Sequence, residues 1–357
     1  MVDLKKLFTD FLKERKLLPS LKPKRKVAYK DLKPIDYNPK IISSFDKKIQ
    51  TFLYELLFSN LNDVLKNYNT FINDVANSEN DIVRAIEEGK ITYSQGKFKS
   101  NFKDNKFPIG LSKYLTEEVG ATFNKTTKSF VIPQEKLSKD IQGAINKSIF
   151  DNVYFTTQLL GAIAKSSDQT FFDELFAKAG FENEYENVIK DTFKQIKQND
   201  VEIPIELNEE QNKVVAKDYT DNLKLTIKDF TDKQTLELRK LVEENTKAGF
   251  RPEFLASKIQ ERFNVSKNKA KFLADQETRL LTTQYAKAKF TEGGIITKFR
   301  WGSSASKVQD EFHAQYYDKI FDFDNLPVIN EDTNETGLPG ERYNCKCRII
   351  PVVEELA

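Results

Sequence analysis

Between Asn208 and Gly293 the chain offers its backbone little except helix. One glycine, Gly249, and one proline, Pro252, are the only such breakers in that stretch. Asn208 and Gln211 stand at capping-box spacing, so a helix is expected to begin there and to reach Lys247, with at most one interruption. Gly249 stops it, and Pro252 suits the first turn of the next helix. That next helix, "PEFLASKIQERF", is expected to end at Asn264. Ser266 then caps a third, which carries "AKFLADQETRLLTTQYAKAKF" to the Gly293–Gly294 pair. A run of this kind restricts the chain to architectures built on long helices.

The flanks are different. Residues 1 to 18 fit an amphipathic helix with Leu4, Leu7, Phe8, Phe11, Leu12 and Leu18 near one face, and Pro19 and Pro23 end it. "DLKPIDYNPK" reads as a linker. Helical spacing resumes from Ile41 to about Lys90, with Ile49, Phe52, Leu53, Leu56 and Leu57 forming a core stripe. "GKITYSQGKFKSNF" alternates around Gly96 as a hairpin does. "PIGLSKYLTEEVGA" offers a short helix with Leu111, Leu115 and Val119 inward and Gly120 at its end. "ATFNKTTKSFVIP" returns to strand, and Ser138 to Gln198 is helical again. After Gly294, "IITKFRWG" is a strand and the remainder is rich in turns.

The expected fold is therefore α+β and mainly helical. It has helical N-terminal and central regions, a small α/β insert and a compact, loop-rich α+β C-terminal module. The segments are a basic helix and arm over 1–35, a helical domain over 36–205 with the insert near 91–133, a helical region over 206–295 and the C-terminal module over 296–357. No apolar run reaches the roughly 20 residues that span a bilayer, so no membrane is expected as partner. The N-terminus lacks the pattern of a secretory signal. Two cysteines separated by one residue pair poorly, so a cytoplasmic chain without disulfides is expected.

Charge is uneven although the whole chain is only +2. Residues 1 to 30 carry a net +7 and residues 301 to 357 a net −6. Lys22, Lys24, Arg25 and Lys26 lie within five residues. Such a cluster either touches phosphate backbone or an acidic partner, or forms a solvated terminus. No Walker loop, dinucleotide fingerprint, zinc-protease helix or nucleophile elbow is present. The only two cysteines, Cys345 and Cys347, and the only histidine, His313, all fall near the C-terminus. Thiolates and imidazole are donors that zinc selects, and Asp310, three residues before His313, supplies a fourth in that reading. In the other reading His313 is a hydrogen-bonded orienting residue and the cysteines are small core hydrophobes.

In order, Trp301, Lys307, His313, Pro339, Gly340, Cys345, Lys346, Cys347 and Pro351 resemble the C-terminal motif of the phage Mu F-like head morphogenesis family, minor head proteins of tailed phages. "LVEENTKAGFRPEFLASKIQERFNVSKNKAKFLADQET" is similar to the helical segment before that motif. Ala274-Asp275-Gln276-Glu277 stands there where Ala-Arg-Thr-Glu is usual. Lys307 and Gln309 replace a basic pair, and Arg342 stands where some members have a histidine. Residues 91 to 137 resemble an upstream element of some members. The resemblance covers roughly 91 to 137 and 235 to 352.

This resemblance implies a non-enzymatic minor capsid protein. It would associate with the portal inside the procapsid, with scaffold or major capsid protein as further partners, and contact packaged duplex DNA. It would sit in the capsid interior of the virion, and in the host cytoplasm during assembly. Two alternatives belong to other classes. One is an enzyme or toxin-like module related to ADP-ribosyltransferases, for which Glu277, Glu311 and Glu341 are the candidate carboxylates. The other is a sequence-independent DNA-binding protein led by the basic arm.

Overall fold

The computed structural model describes residues 28–66, 81–102, 105–199, 209–247, 252–292, 294, 296–303, 311–343 and 345–355. It is a mainly helical α+β protein. Two compact units emerge, and neither is one continuous stretch. The first gathers residues 28–36, 195–199 and 286–355, and the second residues 37–194 and 209–285.

The second unit begins with α1 (Pro39–Leu57). Asn38 caps it by accepting the Lys40 amide, and Pro39 occupies its first turn. Its buried face carries Phe45, Ile49, Phe52, Leu53, Leu56 and Leu57. That face meets α5 (Gln169–Ala179) and α6 (Glu182–Lys197) through edge-to-face rings. Phe52 and Phe172 lie 5.5 Å apart between centroids, and Phe45 and Tyr185 lie 5.2 Å apart. Asp168 caps α5, and Gly180 ends it with φ of 62°, a left-handed turn that glycine adopts freely.

The insert lies within this unit. Helix α2 (Asp81–Glu87) leads into a hairpin of β2 (Ile91–Ser94) and β3 (Lys97–Ser100). Helix α3 (Ile109–Glu117) and a second hairpin, β4 (Thr122–Asn124) and β5 (Ser129–Val131), follow. The strands form one antiparallel sheet in the order β2-β3-β5-β4. Ile91, Phe98, Leu111, Leu115 and Phe130 share a core with Ile141 and Ile145 of α4 (Lys139–Ser166). Leu111 and Leu115 point inward as their spacing predicts, and Val119 packs beside them.

Two long helices complete the unit's sequence: α7 (Glu209–Lys247) and α8 (Pro252–Glu292), whose last turns belong to the first unit. The expected break at Asn264–Ser266 is absent. Ser266 is buried inside α8, and its hydroxyl donates to the Arg262 carbonyl one turn back. A serine that bonds its own helix in this way has no capping role, and "Asn-Val-Ser" continues the helix.

The first unit is built on an antiparallel sheet in the order β1-β10-β6-β7. Its strands are β1 (Ala28–Asp31), β6 (Lys298–Gly302), β7 (Ile320–Asp322) and β10 (Arg348–Glu355). The end of the segment expected to be an arm is thus a strand, with Ala28 opposite Glu355 and Asp31 opposite Val352. In β6 the alternation is strict: Phe299 and Trp301 are buried, while Lys298 and Arg300 reach acidic partners at the edge. Asn199 accepts the Lys33 amide, and Gln195 the Asp36 amide, so the last turn of α6 fastens the chain leaving β1. A single turn, α9 (Glu311–Ala314), and the short pair β8 (Val328–Asn330) and β9 (Glu335–Thr336) close the unit.

Candidate functional site

Three loop-borne elements converge inside the first unit. Trp301 enters from β6, His313 from α9, and Cys345 and Cys347 from the turn that feeds β10. All four are at most 1% exposed. The site is packed from below by the indole. Its ring lies 5.1 Å from the His313 ring, edge-on at 62°, and 5.3 Å from Tyr316.

The histidine tautomer follows from its neighbours. Its Nε2 lies 3.0 Å from the Ile329 carbonyl, which can only accept, so Nε2 carries a proton. The other nitrogen, Nδ1, faces Cys345 Sγ at 3.3 Å. The Cys347 amide also approaches that sulfur, at 3.4 Å. The hydrogen bond from Cys347 is the largest influence holding the Cys345 thiol below its usual range, and His313 adds to it against the cost of burial. Cys347 is pushed up, first by that same bond and then by burial. The two thiols thus act as one pair, with Cys345 the more acidic of them.

Close packing fixes the loops around the cluster. A side chain at Gly337 would come within 2.5 Å of both Glu341 Oε2 and Ile329 Cδ1. Glu341 Oε2 in turn accepts the Leu338 amide at 2.8 Å. Gly340, with φ of 91°, makes the turn that follows. The guanidinium of Arg342 stacks over Phe312, 5.7 Å from its centroid.

The residues suit a metal ion. The three donor atoms lie within 4.8 Å of one another. A tetrahedral zinc with ordinary bond lengths separates a nitrogen from a sulfur ligand by about 3.5 Å, close to the spacing of Nδ1 and Cys345. The Ile329 carbonyl orients the ring as an outer-shell partner does for a ligating histidine. The buried Trp301 indole N–H has no oxygen or nitrogen acceptor among the described residues. With the Tyr317 hydroxyl it offsets part of the upward push on the Cys347 thiol. Among the described residues no other acidic or cysteine side chain joins the group. Asp310 lies outside the described residues, as do Lys22, Lys24, Arg25 and Lys26.

Residues 236–350 match the family described as Phage Mu protein F like protein. This segment is similar to the Mu F-like family. It runs from α7 through α8 and ends in β10, so it contains His313 and both cysteines. The upstream stretch over 91–137 lies outside the match. An uncharacterized protein of Haemophilus influenzae is 30% identical over 100 residues, which are 28% of this chain and 21% of that protein. The chain thus spans about a fifth of the length of that relative. No solved structure matches.

Glu277 in α8 is half-buried and receives the Tyr185 hydroxyl at 2.9 Å. Burial pushes its pKa up, and the Tyr185 bond and the Lys269 charge pull it partly back. Two positions of the Mu F-like segment also pair: Arg279 grips Asp275 through two hydrogen bonds of 2.8 and 2.9 Å and lies over the Tyr37 ring. The Ile329 carbonyl had no signal in the sequence because any residue type supplies one. Tyr317 could have been suspected, since it follows the histidine by one helical turn.

Proposed function

We propose that the chain is a structural, non-catalytic minor head protein that acts in head morphogenesis of a tailed phage. The observation that carries this reading is the Mu F-like match over residues 236–350. In this reading the chain docks on the portal inside the procapsid, with scaffold or major capsid protein as secondary contacts. Lys22, Lys24, Arg25 and Lys26 then lie against packaged DNA. His313, Cys345 and Cys347 hold a structural zinc, and Asp310 or water completes its shell. The ion would cross-link α9, the turn before β10 and, through the ring, β8. Support comes from the fixed histidine tautomer and the donor spacing. Among the described residues no helix is long and apolar enough to cross a membrane.

Co-expression of the full chain with the portal protein of the same phage tests the docking. Co-migration on gradients and presence in assembled heads are expected. A chain that stays apart from the portal and is missing from heads overturns the reading.

A further inference from the structure

The sheet of the insert has two faces of opposite character. Cross-strand pairing puts Tyr93, Phe98, Phe123 and Phe130 on one face, where Phe98 and Phe130 enter the core. The other face consists of two rows. Thr92, Lys99, Ser129 and Asn124 stand side by side across β2, β3, β5 and β4. Ser94, Lys97, Val131 and Thr122 form the next row, and Val131 is the single apolar side chain in the two.

Charge follows the faces. Residues 91–100 and 122–131, which include all four strands and both hairpin turns, hold four lysines and no acidic residue. Lys97 and Lys99 lie two residues apart on β3, so their Cα atoms are about 7 Å apart on the polar face. Lys125 and Lys128 lie in the β4–β5 turn, next to the row that contains Lys99. Lys99, Lys125 and Lys128 are exposed, and Lys97 is half-buried. Among the described residues none of the four side chains has an ionic or hydrogen-bonding partner, whereas nearby Lys90 and Lys113 pair with Glu88 and Glu117. The turn is fixed, because Asn124 Oδ1 accepts the Thr126 and Thr127 amides, each at 3.0 Å. Lys128 holds φ of 49°, a left-handed backbone that asparagine or glycine adopts more readily.

Four uncompensated cations on a polar sheet face attract a polyanion. The rest of the face decides which kind. The centre of a protein interface is rich in aromatic and apolar anchors and poor in lysine, and here the composition is the reverse. A single nucleic-acid strand is held by rings that stack on its bases, and the rings of this sheet all lie on the other face. Lysines among hydroxyls and amides are the groups that contact phosphate and sugar. The strands and turns contain no arginine, and the oxygen of Asn124 is already engaged, so the face is not equipped to read base edges.

We infer that this face of the insert binds the phosphate backbone of duplex DNA without sequence preference. Lys97 and Lys99 meet neighbouring phosphates, the turn lysines extend the contact beyond Lys99, and the hydroxyls of Thr92, Ser94 and Thr122 donate to phosphate oxygens. The inference does not rest on the Mu F-like match, which begins at residue 236 and leaves the insert outside.

Fluorescence anisotropy of a short labelled duplex, titrated with the full chain at low salt, is the test. Lys22, Lys24, Arg25 and Lys26 are first changed to serine, so that the arm adds nothing. That chain should still bind, equally for unrelated sequences and more weakly as salt rises. Changing Lys97, Lys99, Lys125 and Lys128 to glutamine should lower its affinity at least about tenfold, and changing them to arginine should preserve it. Glutamine at Lys213, Lys217, Lys233 and Lys240 of α7 removes the same charge elsewhere and should leave the affinity within about threefold. Should the four-site glutamine variant fail to fold, Lys125→Gln with Lys128→Gln, confined to the turn, replaces it, with a loss of at least about threefold expected. An arm-neutral chain without duplex affinity, a glutamine variant that binds like its parent, or an equal loss from the α7 control overturns the inference. Tighter binding to polyglutamate than to duplex assigns the face to an acidic protein and overturns it as well.

Discussion

Replacing His313 tests whether the C-terminal unit is held by its buried cluster. The ring is fully buried and makes two polar contacts, to the Ile329 carbonyl at 3.0 Å and to Cys345 Sγ at 3.3 Å. His313→Phe keeps the ring volume and the stacking on Trp301 but leaves the Ile329 carbonyl unsatisfied and removes one contact from Cys345 Sγ, which keeps the Cys347 amide. A buried orphan costs about 1–3 kcal/mol and the lost contact about 1 kcal/mol, so a loss of about 2–4 kcal/mol is expected. His313→Ala also opens a cavity and removes the aromatic contact, which raises the loss to about 4–6 kcal/mol. Either is a large share of the roughly 5–15 kcal/mol that stabilises a typical domain. The assay is urea unfolding read by tryptophan fluorescence. Trp301 is the only tryptophan in the chain, is fully buried and lies 5.1 Å from the ring being removed, so the signal reports this unit. If His313→Phe unfolds within about 0.5 kcal/mol of the wild type, the spread ordinary surface substitutions show, then the two contacts do not hold the unit together and the reasoning fails.

Metal analysis of protein prepared with zinc should give one ion per chain, and none after Cys345→Ala with Cys347→Ala; a wild type without zinc leaves the cluster a packed one. Gly337→Ala should destabilise by about 1–3 kcal/mol, because Glu341 and Ile329 must move to admit a methyl group; an unchanged midpoint would show that the loop yields freely. Glu277 has a raised pKa, so its neutral form is the one folding favours. Its stabilising contribution is complete below the unfolded pKa and is lost as pH rises through the folded one. Glu277→Gln should therefore flatten the stability–pH curve between the unfolded and the folded pKa, and an unaltered slope there would count against the assignment. Duplex DNA binding by the full chain should weaken with salt at a log–log slope near −4 to −5, for about five phosphates contacted. Changing Lys22, Lys24, Arg25 and Lys26 to serine should flatten that slope by several units; absence of DNA affinity at low salt would make the arm a protein-docking element.

Much of the fold can be read from side-chain spacing. The insert's hairpin, helix and second hairpin follow from period-two alternation broken by Gly96 and Gly120, whose φ values are both 72°. The helix start at Pro252 follows from proline's fixed φ, whereas Pro39, read as part of a linker, opens α1. What stays hidden depends on partners distant in sequence. Ser266 looks like a cap until its hydroxyl is seen to bond its own helix. "AYKD" carries too few residues to announce a strand, and its order comes from pairing with β10. At the site, the residue types of His313, Cys345 and Cys347 were legible because they are rare. The carbonyl that sets the tautomer was not, since backbone atoms leave no trace in composition.

The place of β10 in its sheet bears on how the unit closes. It lies between β1 and β6, and β1 is remote from it in the chain. Until β10 docks, both neighbours present unpaired hydrogen-bonding edges, and edges of that kind invite pairing with other chains. The sheet therefore closes through contacts between residues far apart in sequence, and such long-range closure is slow. Loss of residues 348 to 355 would remove the middle of the sheet rather than its margin, and would leave two open edges in place of one filled gap.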